Sequence, residues 1–240
     1  MKQKNLRVVI TLMLSLLCWV PGVWAEPYIA AYAGYSLLSN TDLKIESVSI
    51  LQPDQFQARG IRFSTNVDNS AVFGGKIGYW FDFFPLVGTE LDIYAFSPDI
   101  SSPPQTAGTV RLTKSNNFDV SVTALSFNLM GRYSLLRSPA FPRGRIQPYI
   151  GIGPGLFITS IKDLEPDPND NIGSKTLTFG GFQIIGGLKF FLLKNLSLFA
   201  EYKFSHFTAD LSGASARFSL GATQNIDASH FYGGVAYHFY

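Results

Sequence analysis

Eight stretches of this chain alternate apolar and polar residues with period two, and every charge within them falls on the polar face. A period of two is that of a β-strand, whose side chains point to opposite sides in turn. The stretches are "PYIAAYAGYSLL" from Pro27, "AVFGGKIGYWF" from Ala71, "VGTELDIYAF" from Val87 and "SVTALSFNLMGRY" from Ser121. They continue with "RIQPYIGIGPGLFIT" from Arg145, "FGGFQIIGGLKF" from Phe179, "LSLFAEYKFSHF" from Leu196 and "ASHFYGGVAYHFY" from Ala228. In the fourth, Leu125, Phe127, Leu129 and Tyr133 share one face, and Ser126, Asn128, Met130 and Arg132 the other. The third sets Leu91, Ile93 and Ala95 against Glu90, Asp92 and Tyr94. The same sorting puts Lys76, Gln183, Lys189, Glu201 and Lys203 opposite apolar rows.

Paired in chain order, the eight strands form an antiparallel meander whose connections alternate in length. "DFFPL", "SLLRSPAFPRG" and "FLLKN" are compact, whereas Ser39 to Ser70, Ser97 to Asn117, Ser160 to Thr178 and Thr208 to Asp227 read as long polar loops. No long apolar run, helical period or internal repeat divides the region, so it reads as one domain over residues 26–240.

Ahead of it stand Lys2, Lys4 and Arg7, the apolar run from Val8 to Val20, Pro21-Gly22 and "VWA" ending at Ala25. This is the three-part pattern of a secretory signal peptide over residues 1–25, with cleavage expected after Ala25 and a run too short to span a membrane as a helix. The only cysteine, Cys18, lies inside that segment, where Leu17 before it suits lipidation poorly. The exported part therefore has no thiol chemistry. Removing the three leader cations from 19 basic residues leaves 16 against 17 acidic ones, a balance that gives no electrostatic hold on nucleic acid.

Alternation alone does not say whether the apolar face meets a core or a lipid. Three features favour lipid: the leader, the even strand count, and aromatic residues at strand ends such as Tyr79, Trp80, Phe81, Tyr133, Phe190 and Tyr237. In lipid every backbone polar group must be paired, so the sheet has to close on itself. The final "HFYGGVAYHFY" then reads as the closing strand, with Phe231, Val235, Tyr237 and Phe239 outward and His230, Tyr232, Ala236 and His238 inward. The expected fold is all-β, an eight-stranded antiparallel up-and-down transmembrane barrel with short turns at one end and long loops at the other.

The leader together with "FGGKIGYWF", "RIQPYIGIGPG", "FAEYKFSHF" and "YGGVAYHFY" resembles the small outer-membrane β-barrel superfamily that includes the OmpA transmembrane domain, OmpX and the neisserial opacity proteins. The resemblance covers essentially the whole exported chain. It implies integral residence in a Gram-negative outer membrane, periplasmic short turns and surface-exposed loops. It also implies contact with outer-membrane lipids and lipopolysaccharide, and recognition by the barrel-assembly machinery through a C-terminal signal, here Gly234, Tyr237, Phe239 and Tyr240. Tyr240 stands one residue beyond the usual final aromatic.

The inward ionisable residues are Lys76, Glu90, Asp92, Arg132, Lys189, Glu201 and Lys203, expected to form a paired luminal network in a barrel too narrow for a channel. The functional expectation is a structural or adhesive surface protein, with an unknown surface ligand. The alternatives are a transporter of small apolar molecules and, third, a lipid A acyl hydrolase. For the last, His206 and Thr208 lie on the lipid-facing parity, but no glutamate follows Glu201 to complete a triad, so no enzyme activity is expected. Asp163, Glu165, Asp167, Asn169 and Asp170 offer oxygens but lack the glycine turn of a calcium loop, and they read as a solvated surface loop. No cofactor and no metal are expected.

Overall fold

The computed structural model describes residues 26–38, 41–50, 56–102, 105–107, 110–112, 116–163, 175–210, 213–214 and 218–239, with side chains over 26–38, 68–98, 120–160, 176–208 and 225–239. Its strands in chain order are β1 (Glu26–Leu38), β2 (Thr41–Ile50), β3 (Phe56–Val67), β4 (Ser70–Trp80), β5 (Val87–Phe96), β6 (Asp99–Ser102) and β7 (Gln105–Ala107). They continue as β8 (Val110–Leu112), β9 (Asn116–Arg132), β10 (Ile146–Asp163), β11 (Lys175–Phe191), β12 (Leu196–Asp210), β13 (Gly213–Ala214) and β14 (Phe218–His238). The predicted leader, Tyr240 and the loop oxygen donors Glu165, Asp167, Asn169 and Asp170 lie outside the described residues.

Eight strands make the wall, in the order β1-β4-β5-β9-β10-β11-β12-β14, all antiparallel to their neighbours. Closure comes from β1 against β14, paired from Tyr28↔His238 to Leu38↔Ala228. The predicted closing strand is thus hydrogen-bonded on both edges, by β12 as well as β1. This removes the open edge that a bilayer cannot tolerate.

The long connections are a correction to the sequence reading. They are not loops throughout, because β2 and β3 pair in the register that already joins β1 to β4, Ser36↔Ser70 being followed by Thr41↔Thr65 without slip. Likewise β6 carries on from β5 along β9, where Phe96↔Val122 is followed by Asp99↔Asp119. Further pairings β14–β2 and β3–β6 continue the wall above the first ring as a second tier, where β11 and β12 are paired only as far as Gly181↔Phe207. β9, β10, β11, β12 and β14 extend from the first ring into this tier.

The outer wall of the first ring is apolar: Phe73, Ile77, Ile93, Leu129, Ile152, Ile184, Leu188, Leu198 and Val235 are all exposed on it. Their alternate neighbours Lys76, Asp92, Asn128, Gln183 and Lys203 are almost wholly buried. An apolar outside around a charged inside is the reverse of a soluble sandwich and fits a lipid solvent. Ile93 lies on that wall between Gly75 and Leu125, mid-way along β5. Ile93→Arg is expected to cost about 2–4 kcal/mol of folding stability in bilayers, whereas Tyr133→Arg, at the strand end, costs about 0–1. Urea titration of both variants in liposomes measures the difference, and equal costs would overturn the face assignment.

Candidate functional site: the barrel lumen

The lumen is filled in three tiers. At the short-turn end Glu26 is the hub: its carboxylate lies 2.7 Å from Arg132 Nη2, 2.8 Å from Arg143 Nη1 and 2.7 Å from His238 Nδ1. Arg132 also donates to the Pro85 carbonyl at 2.9 Å and lies over the Trp80 ring, 4.3 Å from its centroid. Arg143 comes from the connection between β9 and β10, which therefore folds under the barrel mouth and is anchored there by Gln147 Nε2 donating to its carbonyl at 2.8 Å.

The middle tier holds two ion-pair clusters. Lys76 Nζ donates to both oxygens of Glu201 at 2.7 Å and lies 3.1 Å from Glu90. Tyr149 donates to Glu201 at 2.7 Å, Tyr232 donates to it as well, and Tyr28 donates to Glu90 at 2.7 Å. Beside them Lys203 Nζ reaches Asp92 at 2.5 Å, and Tyr32 donates to the other Asp92 oxygen at 2.7 Å. Gln183 donates to Asn128 at 2.8 Å, and Asn128 to Glu90 at 3.3 Å, which ties β11 through β9 to β5. Removal of so many charges from water is sustained only because each carboxylate gains a cation and extra hydroxyl or amide donors.

Luminal glycines make this geometry possible. A methyl group at Gly78 would overlap the Tyr28 ring, one at Gly74 the Tyr32 ring, and one at Gly187 the Tyr149 ring. Without side chains on those rows the tyrosines lie flat across the sheet and carry their hydroxyls to Glu90, Asp92 and Glu201.

The upper tier is apolar, with Val72, Phe96, Val122, Ala124, Phe157, Phe179 and Phe207 buried together and Phe157 stacked on Phe207 at 4.3 Å. His230 packs edge-on against Tyr94 and Phe96 at 5.3 and 5.0 Å. Its ring nitrogens, and the hydroxyls of its row neighbours Ser36 and Ser70, have no hydrogen-bond partner among the described residues.

The structure brings Lys76, Glu90 and Glu201 into one cluster and Asp92 and Lys203 into a second, and it assigns Arg132 to the Glu26 hub. Lys189 joins none of these. Its ammonium makes no ion pair with a described carboxylate and lies 4.4 Å from the Tyr28 ring centroid and 5.7 Å from that of Tyr149. Glu26 escaped the sequence reading because the first strand was started at Pro27. With it, the inward cations Lys76, Arg132, Lys189 and Lys203 of the strands face four anions rather than three, and Arg143 of the β9–β10 connection joins them at Glu26. Of the terminal signal residues, Gly234 sits inside the wall with no room for a side chain against Ala31 and Phe199, and Tyr237 and Phe239 are exposed on the outer face.

On the outer wall a second polar set appears. His206 Nδ1 lies 2.6 Å from Asp227 across the β12–β14 ladder, and Thr208 donates to Asn225 at 3.0 Å. Asp227 is the carboxylate the sequence reading missed, since it had looked for a glutamate after Glu201. Pairing of the two strands is what finds it. The hydroxyl of Thr208 is engaged with Asn225 rather than with His206, so among the described residues His206 and Asp227 stand together without a hydroxyl nucleophile on them.

Residues 24–239 match the sequence profile of the outer membrane protein β-barrel domain. The chain belongs to that family. As a member it is an integral outer-membrane protein, and the ends of its barrel take their sides from that: short turns in the periplasm, strand extensions outside. Its fold is similar to that of neisserial surface protein A (NspA) from Neisseria, 14% identical, with a TM-score of 0.52 over 90% of this chain and 100% of that one. It is also similar to the outer membrane protein OprG from Pseudomonas aeruginosa, 16% identical, with a TM-score of 0.50 over 89% of this chain and 96% of that one. No curated protein matches the sequence significantly. At such low identities the two structures speak to the fold alone.

Proposed function

We propose that this protein is a sealed barrel that carries its extracellular strand extensions as a structural or adhesive surface, and is neither a diffusion pore nor an enzyme. The supporting observation is the filling of the lumen. The cavity among Lys76, Glu90, Met130, Tyr149, Lys189 and Glu201 has a volume of about 10 Å³, room for about one water, and above it the aromatic tier closes the bore. Interaction is then left to what projects outside the membrane: the strand extensions β2, β3 and β6 with the ends of β9 to β14, together with lipopolysaccharide around them and a surface ligand bound by their tips. Assembly machinery would read the C-terminal strand.

Purified protein in planar bilayers is expected to show no sustained porin-size conductance. Steady large channels would overturn the reading, as would loss of surface attachment in none of four variants each lacking one extracellular tip. Transport of small apolar molecules has one observation on its side. The β9–β10 ladder, continuous from Tyr149↔Arg132 to Ile152↔Leu129, resumes only at Gly155↔Ser126; the interrupted stretch holds Pro154, which has no backbone N–H to donate, although Gly153 still packs against the Phe127 carbonyl with no room for a side chain. A lateral exit there would give faster uptake of an apolar fluorescent tracer into protein-loaded liposomes than into empty ones; a sealed scaffold gives equal rates.

A further inference from the structure

Each periplasmic turn of the barrel projects a pair of large apolar residues: Phe83-Phe84, Leu135-Leu136 and Leu192-Leu193. Phe83 is 81% exposed and Leu136 65%, which is costly for turns that dip into water. They continue the lipid-facing wall, to which Tyr133, Phe190, Tyr237 and Phe239 lead at the same end. The same turns are basic. Over residues 81–86, 133–145 and 191–195 the cations Arg137, Arg143, Arg145 and Lys194 stand against the single acid Asp82. Apolar side chains mixed with cations are what an anionic membrane interface attracts.

One place in this collar is a formed cavity of about 300 Å³, lying between the β9–β10 connection and the β11–β12 turn. Phe141, Pro142, Gly144 and Phe191 line it, with Arg143 and Lys194 at its edges. The connection is held in shape by its own backbone: Phe141 N donates to Ser138 O at 2.9 Å, Gly144 N to Phe141 O at 3.0 Å and Arg145 N to Leu136 O at 3.2 Å. Gly144 sits at φ +90°, a conformation that a side chain would strain. Phe141 has a second task, because the Arg145 guanidinium lies between it and Phe190, 5.3 and 5.0 Å from the two ring centroids. That places an aromatic-clamped cation on the wall beside the cavity.

We propose that this end of the barrel binds one anionic phospholipid of the periplasmic leaflet. Its phosphate is held by Lys194 and Arg145, Arg143 being engaged by Glu26 and, at 3.5 Å, by Asp82; its headgroup enters the cavity against Phe141, and its chains run along the wall at Phe190. The site recognises a phosphate ester that carries net negative charge, so it prefers phosphatidylglycerol to a zwitterionic lipid. A protein partner is disfavoured by continuity of the apolar collar with the bilayer-facing wall and by the sign of the charge. Each cation near an anionic surface contributes about a fivefold preference.

The test reconstitutes the full-length barrel in nanodiscs of equal phosphatidylglycerol and phosphatidylcholine, extracts it gently, and counts the retained lipids by native mass spectrometry. Wild type is expected to retain phosphatidylglycerol at least about fivefold over phosphatidylcholine. Two variants leave the luminal Glu26–Arg143 contact alone: Lys194→Gln with Arg145→Gln, which removes charge, and Ala140→Trp, which fills the cavity and keeps the charge. Both should bring the ratio to near one while the unboiled gel band stays compact. Equal retention of the two lipids by wild type overturns the proposal whether or not the variants fold. An undiminished preference in both folded variants also overturns it.

Discussion

Replacing Lys76 by Met should destabilise the barrel by about 3–5 kcal/mol, the range for leaving a buried charge without its partner. Lys76 is the one cation between two carboxylates, 2.7 Å from Glu201 and 3.1 Å from Glu90, with 3% of its surface exposed. In its absence the two anions face each other across a cavity with room for about one water, left with the hydroxyls of Tyr28, Tyr149 and Tyr232, the Asn128 amide and the Lys189 ammonium, which makes no ion pair with either. Packing alone does not produce such a loss, because methionine fills nearly the same volume and keeps the stem against the Phe199 ring, near which the ammonium lies. Adding Glu201→Gln should recover much of it, since the second change removes the charge that the first left unpaired. Urea unfolding of the two variants in liposomes measures both numbers. A single variant as stable as wild type would mean that water reaches the tier, and the sealed-lumen reading would fall with it.

That tier also shows what could be read from residues alone. The face of each charge was legible, because a strand has only two faces and one of them had to meet lipid. Which cation meets which anion was not, since Lys76 and Glu201 are 125 residues apart and come from β4 and β12, which have β1 and β14 between them in the wall. The same holds for His206 and Asp227, which need the β12–β14 register before they become neighbours. Strand extensions were hidden for another reason. In "TDLKIESVSI" the apolar residues Leu43, Ile45, Val48 and Ile50 do not keep one parity, although the backbone pairing persists. The phase changes between Ile45 and Val48, and there the β14–β2 register shifts at Gly221/Ala222. A bulge moves every later side chain to the other face, which breaks the alternation that sequence reading relies on.

Removing Phe239 and Tyr240 is expected to leave secretion intact and to leave most of the protein unassembled. The last described residues do three jobs at once. Phe239 N donates to the Pro27 carbonyl at 2.9 Å, the final bond of the seam that closes the wall, and His238 N donates to Asn195 O at 2.8 Å on the other side. Outside, the Phe239 ring meets Tyr237 edge-on at 5.0 Å, both exposed at the periplasmic interface where aromatic rings anchor a barrel. Inside, His238 closes on Glu26 at 2.7 Å and so joins the last strand to the first through the hub that also holds Arg132. Phe239→Ala keeps the backbone bond and loses only the ring, so it should assemble at an intermediate yield, and removal of Tyr240 alone should be tolerated best. The readout is the fraction of membrane-recovered protein that runs as a compact band before boiling and shifts after it. If the doubly truncated chain reaches the outer membrane at full yield and still shows that shift, closure does not depend on its final residues. The seam from Tyr28↔His238 to Leu38↔Ala228 would then have to be sufficient by itself.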